Sequence, residues 1–245
     1  MFDLSRRTAL VTGAGQNIGT GIARTLAARG ATVYVNDVLV DRAEAVAESI
    51  RVDGGHAVAA PFDVTDSGAV GTAVAGIGPV DVLVNNAGNG GDRSMVLKPF
   101  LDLTPDDWRA AIDVNLYGVL NCCHAVLAGM VERGWGRVIT ISSLAGTMGT
   151  RLGVTPYSAG KGGALAFMRS LALENARSGI TANSIALGLM DTGSGETTGE
   201  IARSIPVGRR GTPADVAALC AYLAADESSW ITAQTIHLDG GVSPT

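Results

Sequence analysis

Hydrophobic positions along the chain follow two alternating patterns. Short runs of consecutive apolar residues predict buried strands, at 8–12, 31–36, 56–60, 80–84, 136–142, 180–186 and 234–238. Apolar residues at helical spacing, as in Ile18, Ile22 and Leu26, predict helices between them, at 18–29, 41–51, 66–77, 104–133, 156–177 and from 212 onward. Because strands that are apolar throughout are buried on both faces, the alternation predicts an α/β fold with a doubly wound, seven-stranded parallel sheet flanked by helices.

Local signals mark the ends of several helices. Thr104 and Thr212 are each followed by a proline and, within three residues, by an acidic residue, which is typical of a helix N-terminus. Gly30 is typical of a C-terminal cap on the first helix. No linker, charge block or internal repeat divides the sequence, so we expect residues 1–245 to form a single domain.

Composition narrows the class of protein. The 245 residues are 47% hydrophobic and 17% charged, too apolar a mixture for a disordered chain. The net charge of −5 argues against a nucleic-acid binder, no apolar run approaches the ~18 residues of a membrane span, and the N-terminus lacks the apolar core of a signal peptide. The cysteines and histidines, which match no disulfide framework or metal-ligand spacing, are Cys122, Cys123, Cys220, His56, His124 and His237. We therefore expect a cytoplasmic protein with no metal, nucleic-acid or membrane partner.

A glycine-rich turn follows the first predicted strand and opens the first helix. It contains Gly13, Gly15 and Gly19 in the spacing G-x-G-x-x-x-G. Glycines let the backbone turn tightly and approach a pyrophosphate, which the positive end of a helix attracts. The strand before the turn and the helix after it favour a dinucleotide site over a glycine turn without a ligand.

Asp37 ends the second predicted strand, 18 residues after Gly19. A carboxylate there can accept hydrogen bonds from an adenosine ribose and would repel a 2′-phosphate. No Arg or Lys lies in the glycine turn, and Val38 follows Asp37, so the sequence favours NAD over NADP. The alternative is that Asp37 only caps the following turn.

Tyr157 and Lys161 lie one helical turn apart, so their side chains share a helix face. An ammonium close to a phenol favours the phenolate and lowers its pKa, which would allow the tyrosine to exchange protons near neutral pH. Ser142 and Ser143 end the fifth strand, and a hydroxyl there could hydrogen-bond a substrate carbonyl, although serine is also common in turns.

Together these residues resemble the short-chain dehydrogenase/reductase family, and the resemblance covers essentially the whole chain. The motifs that carry it are Thr12-Gly13-x-x-x-Asn17-Ile18-Gly19, Asp63-Val64, Asn85-Asn86-Ala87-Gly88, Asn115, Ser143, Tyr157-x-x-x-Lys161 and Asp239-Gly240-Gly241. The resemblance implies a Rossmann fold and an NAD-preferring oxidoreductase, usually a homotetramer built partly through the helices of Asn115 and Tyr157, with the cysteine pair and His124 near such an interface.

The resemblance also implies the residue roles. Tyr157 would be the general acid/base, Ser143 would position the substrate oxygen, Lys161 would bind the nicotinamide ribose and lower the tyrosine pKa, and Asn115 would hold a water in a proton relay. Asp63 and Val64 would hold the adenine, Asn86 and Gly88 would line the cofactor channel, and Met190 and Thr192 would meet the carboxamide. The remaining cofactor-binding residues would be Gly13, Gln16, Asn17, Ile18, Gly19, Asp37 and Val38.

Asn17 replaces the family's middle glycine, and asparagine tolerates the left-handed backbone that such a turn needs. Leu187 replaces the usual proline after the sixth strand, which gives the following segment more conformational freedom. Asn85 is expected to be structural, joining neighbouring strands through its amide.

The expected reaction is hydride transfer between NAD(H) and a secondary alcohol or ketone. Ser143 and Tyr157 would contact the substrate, Leu144, Met148, Leu152 and Val154 would frame an apolar pocket, and 189–206 would form a lid. Arg93 and Lys98 could meet an anionic tail or be surface charges. The alternatives are an NADPH-dependent 3-oxoacyl-thioester reductase, against which Asp37 argues, and a dinucleotide-binding regulator without catalysis.

Overall fold

The structure, a computed structural model, describes residues 1–88, 95–191 and 202–244. Within them, seven parallel strands form one sheet in the order β3-β2-β1-β4-β5-β6-β7. The strands are β1 (Thr8–Val11), β2 (Thr32–Val35), β3 (His56–Ala59), β4 (Val82–Asn85), β5 (Gly136–Ser143), β6 (Ile180–Leu187) and β7 (Thr235–Leu238). The predicted doubly wound parallel sheet is confirmed, and each strand lies within about two residues of its predicted position.

Helices connect successive strands and cover both faces of the sheet. They are α1 (Asn17–Ala28), α2 (Val40–Val52), α3 (Ser67–Ile77), α4 (Pro105–Ile112), α5 (Gly118–Arg133), α6 (Thr155–Asn175) and α7 (Pro213–Ala224). Thr104 and Thr212 each form a capping box with the aspartate three residues on, as their sequence context predicted.

The predicted helix at 104–133 is interrupted. Asp113–Tyr117, between α4 and α5, is a π-helix segment. A π segment accommodates an extra residue within a turn, an insertion that apolar spacing alone does not reveal. Asn115 lies in this segment.

Two apolar clusters lie on opposite faces of the sheet. One packs α1, α2 and α7 against the strands, with Ile22, Leu26 and Leu223 among its buried side chains. The other packs α3, α5 and α6 against the opposite face, with Met130 and Met168 among its buried side chains. Burial on both faces explains why the strands are nearly continuous apolar runs.

One helical stretch of the described residues, Pro105–Arg133, is long and apolar enough by length and composition to cross a membrane. Its inward side chains, including Cys122, Cys123 and Met130, belong to the apolar cluster around α5. We therefore interpret it as a core helix, and its apolar composition reflects packing against the sheet.

The strand order places β1 and β4 side by side although they are not consecutive, so the direction of winding reverses between them. In open parallel sheets, ligands bind beyond the carboxyl ends of the strands at this point.

Candidate active site

A cavity of about 790 Å³ opens beyond the carboxyl ends of the strands, and the glycine turn, Asp37, Ser143, Tyr157 and Lys161 all contribute to its wall. Pockets of this size hold cofactors and small substrates. The structure thus brings together, on one cavity, most of the side chains that the sequence selected.

Backbone geometry explains the glycines of the turn. Gly13 has φ +59°, and a Cβ there would lie 2.8 Å from the Cα of Ala87. A Cβ on Gly19 would overlap the carbonyl oxygen of Gly13. Asn17 has φ +47°, so it adopts the left-handed conformation expected of it.

The turn is fixed to the end of β4 by polar side chains. Asn86 donates its amide to the carbonyls of Thr12 (3.0 Å) and Gly13 (2.9 Å). Thr12 in return accepts hydrogen bonds at its Oγ1 from the backbone N–H groups of Asn86 (3.0 Å) and Ala87 (3.1 Å). Asn86 therefore positions the turn in addition to lining the cavity.

Asp37 is only 5% exposed, yet it lines the cavity. Its carboxylate accepts hydrogen bonds from the backbone N–H groups of Gly15 (3.2 Å) and Leu39 (3.0 Å). The two predicted uses of Asp37 are therefore compatible, since its carboxylate caps the turn and also faces the cavity.

Tyr157 and Ser143 both line the cavity. Ser143, at the end of β5, accepts a hydrogen bond from the N–H of Ala145 (3.2 Å), and its hydroxyl is close enough to the Tyr157 hydroxyl to affect the pKa of the tyrosine. Burial raises the pKa of Tyr157, and the Ser143 hydrogen bond lowers it only in part. Ser142, the other candidate serine, instead donates to the Lys161 carbonyl (3.4 Å).

The expected lowering of the tyrosine pKa by Lys161 is not found. The Lys161 Nζ lies 5.8 Å from the Tyr157 ring centroid and donates to the Ile141 carbonyl (2.8 Å). Lys161 is 4% exposed, and burial lowers its own pKa to about 8. The ammonium is thus held beside the phenol, but at a distance where burial dominates the pKa of the tyrosine.

Asn115 lies beside Lys161 around Gly88. A Cβ on Gly88 would lie 2.9 Å both from the Asn115 Oδ1 and from the Lys161 Nζ, so only glycine leaves room for the two side chains. Asn115 is fully buried, does not itself line the cavity, and donates its amide to the Ala111 carbonyl (2.8 Å).

The other predicted cofactor residues that the structure describes all line the cavity. Asp63 and Val64 line one part of its wall, and the Asp63 carboxylate is fixed by the backbone and hydroxyl of Thr65 (both 2.8 Å). Met190 lines another part, while Thr192 lies outside the described residues. The rest of the predicted set also lines the cavity: Gly13, Gln16, Asn17, Ile18, Gly19, Val38, Asn86 and Gly88.

The four residues predicted to frame the substrate lie outside the wall of the described cavity, so their role stays a prediction. Leu144, Met148, Leu152 and Val154 do not line the described cavity; Val154 is buried, whereas Met148 and Leu152 are 48% and 67% exposed. The cause is the turn after β5, because a Cβ on Gly146 would lie 2.9 Å from the carbonyl carbon of Lys161. The turn therefore packs closely onto α6.

Three further predictions concern the proposed lid, the segment after Leu187 and the role of Asn85. Residues 192–201 of the proposed lid, and Arg93, lie outside the described residues. At the start of the segment after Leu187, Gly188 donates to the Leu238 carbonyl (3.1 Å), which ties this residue to β7; the extra freedom expected beyond it stays a prediction. Asn85 joins β4 to β5 as expected, by donating to the Thr140 hydroxyl (3.3 Å).

The cysteine pair is part of the subunit core. Cys122 and Cys123 are at most 1% exposed, and burial raises both thiol pKa values. Their side chains are therefore enclosed by the chain itself, whereas His124, their neighbour on α5, is exposed.

Several residues of the cavity wall were missed by sequence reasoning. Asn36, next to Asp37, accepts the N–H of Gly13 (3.3 Å) and donates to the Phe62 carbonyl (2.9 Å), so it links the glycine turn to the end of β3. A polar residue at the end of a parallel strand predicts a place in the ligand site, so the sequence did contain a signal for Asn36. No such signal marks four charged wall residues that come from helices, namely Arg42, Asp106, Arg109 and Asp113.

Fold and site together define an oxidoreductase that uses a nicotinamide dinucleotide. The family model described as enoyl-(acyl carrier protein) reductase matches residues 13–243. The chain is 38% identical to the oxidoreductase UcpA of Salmonella typhimurium, over 98% of this chain and 96% of the relative. It is 39% identical to the acetoacetyl-CoA reductase of Shinella zoogloeoides, over 96% and 98%. The chain belongs to the short-chain dehydrogenase/reductase family.

Solved structures agree with the fold. A 3-oxoacyl-[acyl-carrier protein] reductase from Brucella melitensis with bound NAD is 33% identical, with a TM-score of 0.93 over 100% of this chain and 94% of the other. A gluconate 5-dehydrogenase from Burkholderia cenocepacia, in complex with NADP and tartrate, is 34% identical, with a TM-score of 0.90 over 98% and 96%. Neighbours of this chain thus bind either dinucleotide.

Proposed function

We propose that this protein transfers hydride between NAD(H) and a secondary alcohol or ketone, with Tyr157 as the general acid/base. The supporting observation is that Ser143, Tyr157 and the buried Lys161 line the same cavity as the glycine turn and Asp37. A proton-transfer group and a dinucleotide-binding wall in one cavity meet the needs of this reaction.

The described residues fit a dinucleotide. The glycine turn leaves the N-terminus of α1 facing the cavity without a side-chain cap, as a pyrophosphate requires. Asp37 would hold the adenosine ribose, Asp63 and Val64 the adenine, Lys161 the nicotinamide ribose, and Met190 and Thr192 the carboxamide. The bound nicotinamide would supply or accept the hydride and, when oxidised, add positive charge near Tyr157.

The side chains control the proton and the substrate oxygen. In the oxidation direction, the Tyr157 oxygen takes the proton of the substrate hydroxyl while Ser143 donates a hydrogen bond to the same oxygen. Lys161, held by the Ile141 carbonyl, would hold the nicotinamide ribose and so place the ring that exchanges hydride next to the substrate carbon. Asn115, next to Lys161 around Gly88, would continue the proton path through a water.

Three expectations complete this proposal. The protein acts in the cytoplasm, assembles as a homotetramer through the helices that carry Asn115 and Tyr157, and closes residues 189–206 over the substrate. The expected tetramer is supported by the family, whose members are often tetramers. Residues 1–245 would then form one catalytic domain.

The test is a screen of secondary alcohols with NAD and of ketones with NADH, read as absorbance at 340 nm, with Tyr157→Phe as the comparison. Loss of the acid/base group should lower kcat by about 10²–10⁴ and leave NADH binding nearly unchanged, because the ring is retained. Turnover by Tyr157→Phe at the wild-type rate would exclude Tyr157 as the proton donor.

A 3-oxoacyl-thioester reductase is the second candidate. It is favoured by the 39% identity to an acetoacetyl-CoA reductase over nearly the whole chain. Acetoacetyl-CoA is therefore included in the same screen, with NADPH and with NADH as the reductant. If its reduction by NADPH has a higher kcat/KM than every NADH-dependent reaction in the screen, the thioester reductase replaces the first proposal.

A further inference from the structure

The glycine motif after β7 has no part in the proposed reaction, yet it begins a turn that three side chains close. The turn, residues 239–243, is called here the C-terminal turn. The Asp239 carboxylate accepts hydrogen bonds from the Oγ (2.6 Å) and N–H (2.8 Å) of Ser243 and from the N–H of Gly241 (2.9 Å). The Nδ1 of His237 lies 3.0 Å from the Ser243 Oγ. His237, Asp239 and Ser243 together form what we call the C-terminal cluster.

The direction of these hydrogen bonds excludes a nucleophilic serine. The Ser243 hydroxyl has one proton, and its shorter contact is with the Asp239 carboxylate, so His237 donates to the serine oxygen through its Nδ1–H. In a hydrolytic triad the histidine instead accepts the hydroxyl proton, and the carboxylate binds the other ring nitrogen. The C-terminal cluster is therefore arranged to fix a turn and not to attack a substrate.

The charge on Asp239 strengthens the turn. Burial raises the pKa of this carboxyl, but hydrogen bonds from Ser243 and Gly241 lower it by more, so that the pKa of Asp239 lies below its usual value. Hydrogen bonds to an ionised carboxylate are about twice as strong as those between neutral groups. Gly240 (φ +68°) and Gly241 (φ +90°) supply the left-handed backbone that the turn needs.

The C-terminal turn contacts the segment that follows β6 at two separate places. At the start of this segment, a Cβ on Gly188 would lie 2.8 Å from the Cα of Asp239, and the Gly188 N–H donates to the Leu238 carbonyl (3.1 Å). Nineteen residues further along, the Val207 N–H donates to the Gly240 carbonyl (3.1 Å). The same short turn thus holds two parts of the chain that are distant in sequence.

The second of these contacts is close enough to exclude side chains from the turn. A Cβ on Gly240 would lie 2.7 Å from the Ile205 Cγ2, and a Cβ on Gly241 would lie 3.3 Å from the Pro206 Cβ. Ile205 is itself buried. Because closely packed groups transmit displacement to one another, a change in the turn is expected to move residues 205–207.

The segment that begins at Gly188 forms part of the cavity wall. Its wall residues, together with the last residue of β6, are Leu187, Gly188, Leu189 and Met190. The segment is also held by Gly211, whose N–H donates to the Leu189 carbonyl (3.0 Å) and whose carbonyl accepts the N–H of Asp191 (2.7 Å). The position of this wall therefore depends on the C-terminal turn at Gly188 and on Gly211 just beyond it.

We propose that the C-terminal cluster positions the substrate in the cavity. By closing the C-terminal turn, it holds Gly188 and residues 205–207, and so fixes the wall at Leu189 and Met190 beside which the alcohol or ketone binds. None of the three side chains lines the described cavity, so they act through this wall and not on the substrate itself. The inference rests on the proposed function, because it assumes that a ketone binds in this cavity.

Hydrogen–deuterium exchange tests the structural step without turnover. Ser243→Ala removes the hydroxyl that joins His237 to the carboxylate. We expect the amides of Gly188 and Val207, which donate to the turn and its preceding residue, to exchange about tenfold faster than in wild type, because a hydrogen bond to a charged group is lost. Amides of β1 and α1 should exchange as in wild type, and Ser243→Thr, which keeps the hydroxyl, should retain slow exchange.

Steady-state kinetics tests the effect on the substrate, with the ketone of highest kcat/KM in the screen. In Ser243→Ala we expect its KM to rise about tenfold, while kcat and the Kd of NADH change less than about twofold, since no group that contacts the reacting atoms is altered. A substitution that only destabilised the fold would lower the unfolding temperature and leave this KM unchanged. His237→Leu removes the Nδ1 donor and should raise the KM in the same way, so it provides the test if Ser243→Ala does not fold.

Ser229→Ala is the matched control. Ser229 is exposed and precedes β7, whereas Ser243 follows it, and its side chain does not line the described cavity. Within the part of the chain that the structure describes, its hydroxyl forms no hydrogen bond. Its removal should leave the exchange rates and the KM as in wild type.

Two results would overturn the proposal. Unchanged exchange at Gly188 and Val207 in Ser243→Ala would mean that the C-terminal cluster does not hold the wall. Faster exchange with an unchanged KM in both Ser243→Ala and His237→Leu would mean that the turn serves the fold alone. Absence of ketone reduction by wild type would instead contradict the proposed function, and the exchange rates would still decide whether the cluster holds the wall.

Discussion

At the scale of single residues, the site depends on where two hydroxyl groups and one ammonium are held. Ser143 contacts Tyr157, whereas the adjacent Ser142 contacts the backbone of α6. Neighbouring residues of a strand point to opposite faces, so only one of the two serines can reach the tyrosine. The sequence named both, and the choice of Ser143 came from the family pattern.

The Ser143 hydrogen bond lowers the pKa of Tyr157 against the opposing effect of burial. Ser143→Ala should therefore move the rise of kcat/KM for alcohol oxidation to higher pH, because the phenolate loses a donor and forms less readily. We expect a decrease in rate of about 10²–10³ at neutral pH, measured as a pH profile of kcat/KM with NAD.

Ser142→Ala provides the comparison for that profile. It removes a hydroxyl one residue away that does not contact Tyr157, so the midpoint of its profile should match wild type. A Ser143→Ala profile with lower rates but an unchanged midpoint would show that Ser143 holds the substrate without affecting the tyrosine.

At the scale of elements, the turn between β1 and α1 has an asparagine, Asn17, where the family has a glycine, and its effect on stability can be measured. Asn17 has φ +47°, a conformation that costs most L-residues about 1–2 kcal/mol. Asn17→Ala should lower the free energy of unfolding by about that amount, whereas Asn17→Gly should be close to neutral. Urea unfolding monitored by circular dichroism measures both values.

The two substitutions also distinguish an effect on folding stability from an effect on NADH binding. Since the backbone of the turn would face the pyrophosphate, Asn17→Ala should weaken NADH binding more than Asn17→Gly does. Equal effects of alanine and glycine on unfolding would mean that the asparagine side chain, rather than its backbone conformation, stabilises the turn.

The elements also show what a sequence can and cannot reveal. Strands and most helix ends were predicted because burial on both faces and capping residues leave local signals, as at Thr104 and Thr212. The π segment at Asp113–Tyr117 and the packing of the Gly146 turn onto α6 depend on contacts between distant parts of the chain. The presence of Arg42 in the cavity wall also follows from the way α2 packs, which no local sequence signal reveals.

At the scale of the whole molecule, the site carries a cost in stability. Lys161 is buried in the folded chain, without an acidic partner among the described residues, and its pKa is about 8 instead of 10.5. Between these two values the unfolded chain binds more protons than the folded chain, so this group makes stability rise with pH in that window. Below about pH 8 the cost of burying the ammonium is present in full.

Lys161→Met removes this titration and should abolish activity. The variant should be more stable than wild type below about pH 8, and its advantage should shrink by on the order of 1.4 kcal/mol for each pH unit between about 8 and 10.5. Denaturant unfolding at a fixed protein concentration measures the difference at each pH, which matters if subunits associate. Lys98→Met, at the chain's other and exposed lysine, should show no such dependence. A Lys161→Met variant less stable than wild type at every pH would show that the hydrogen bond to the Ile141 carbonyl outweighs the cost of the buried charge, and the ammonium would then stabilise the fold as well as the reaction.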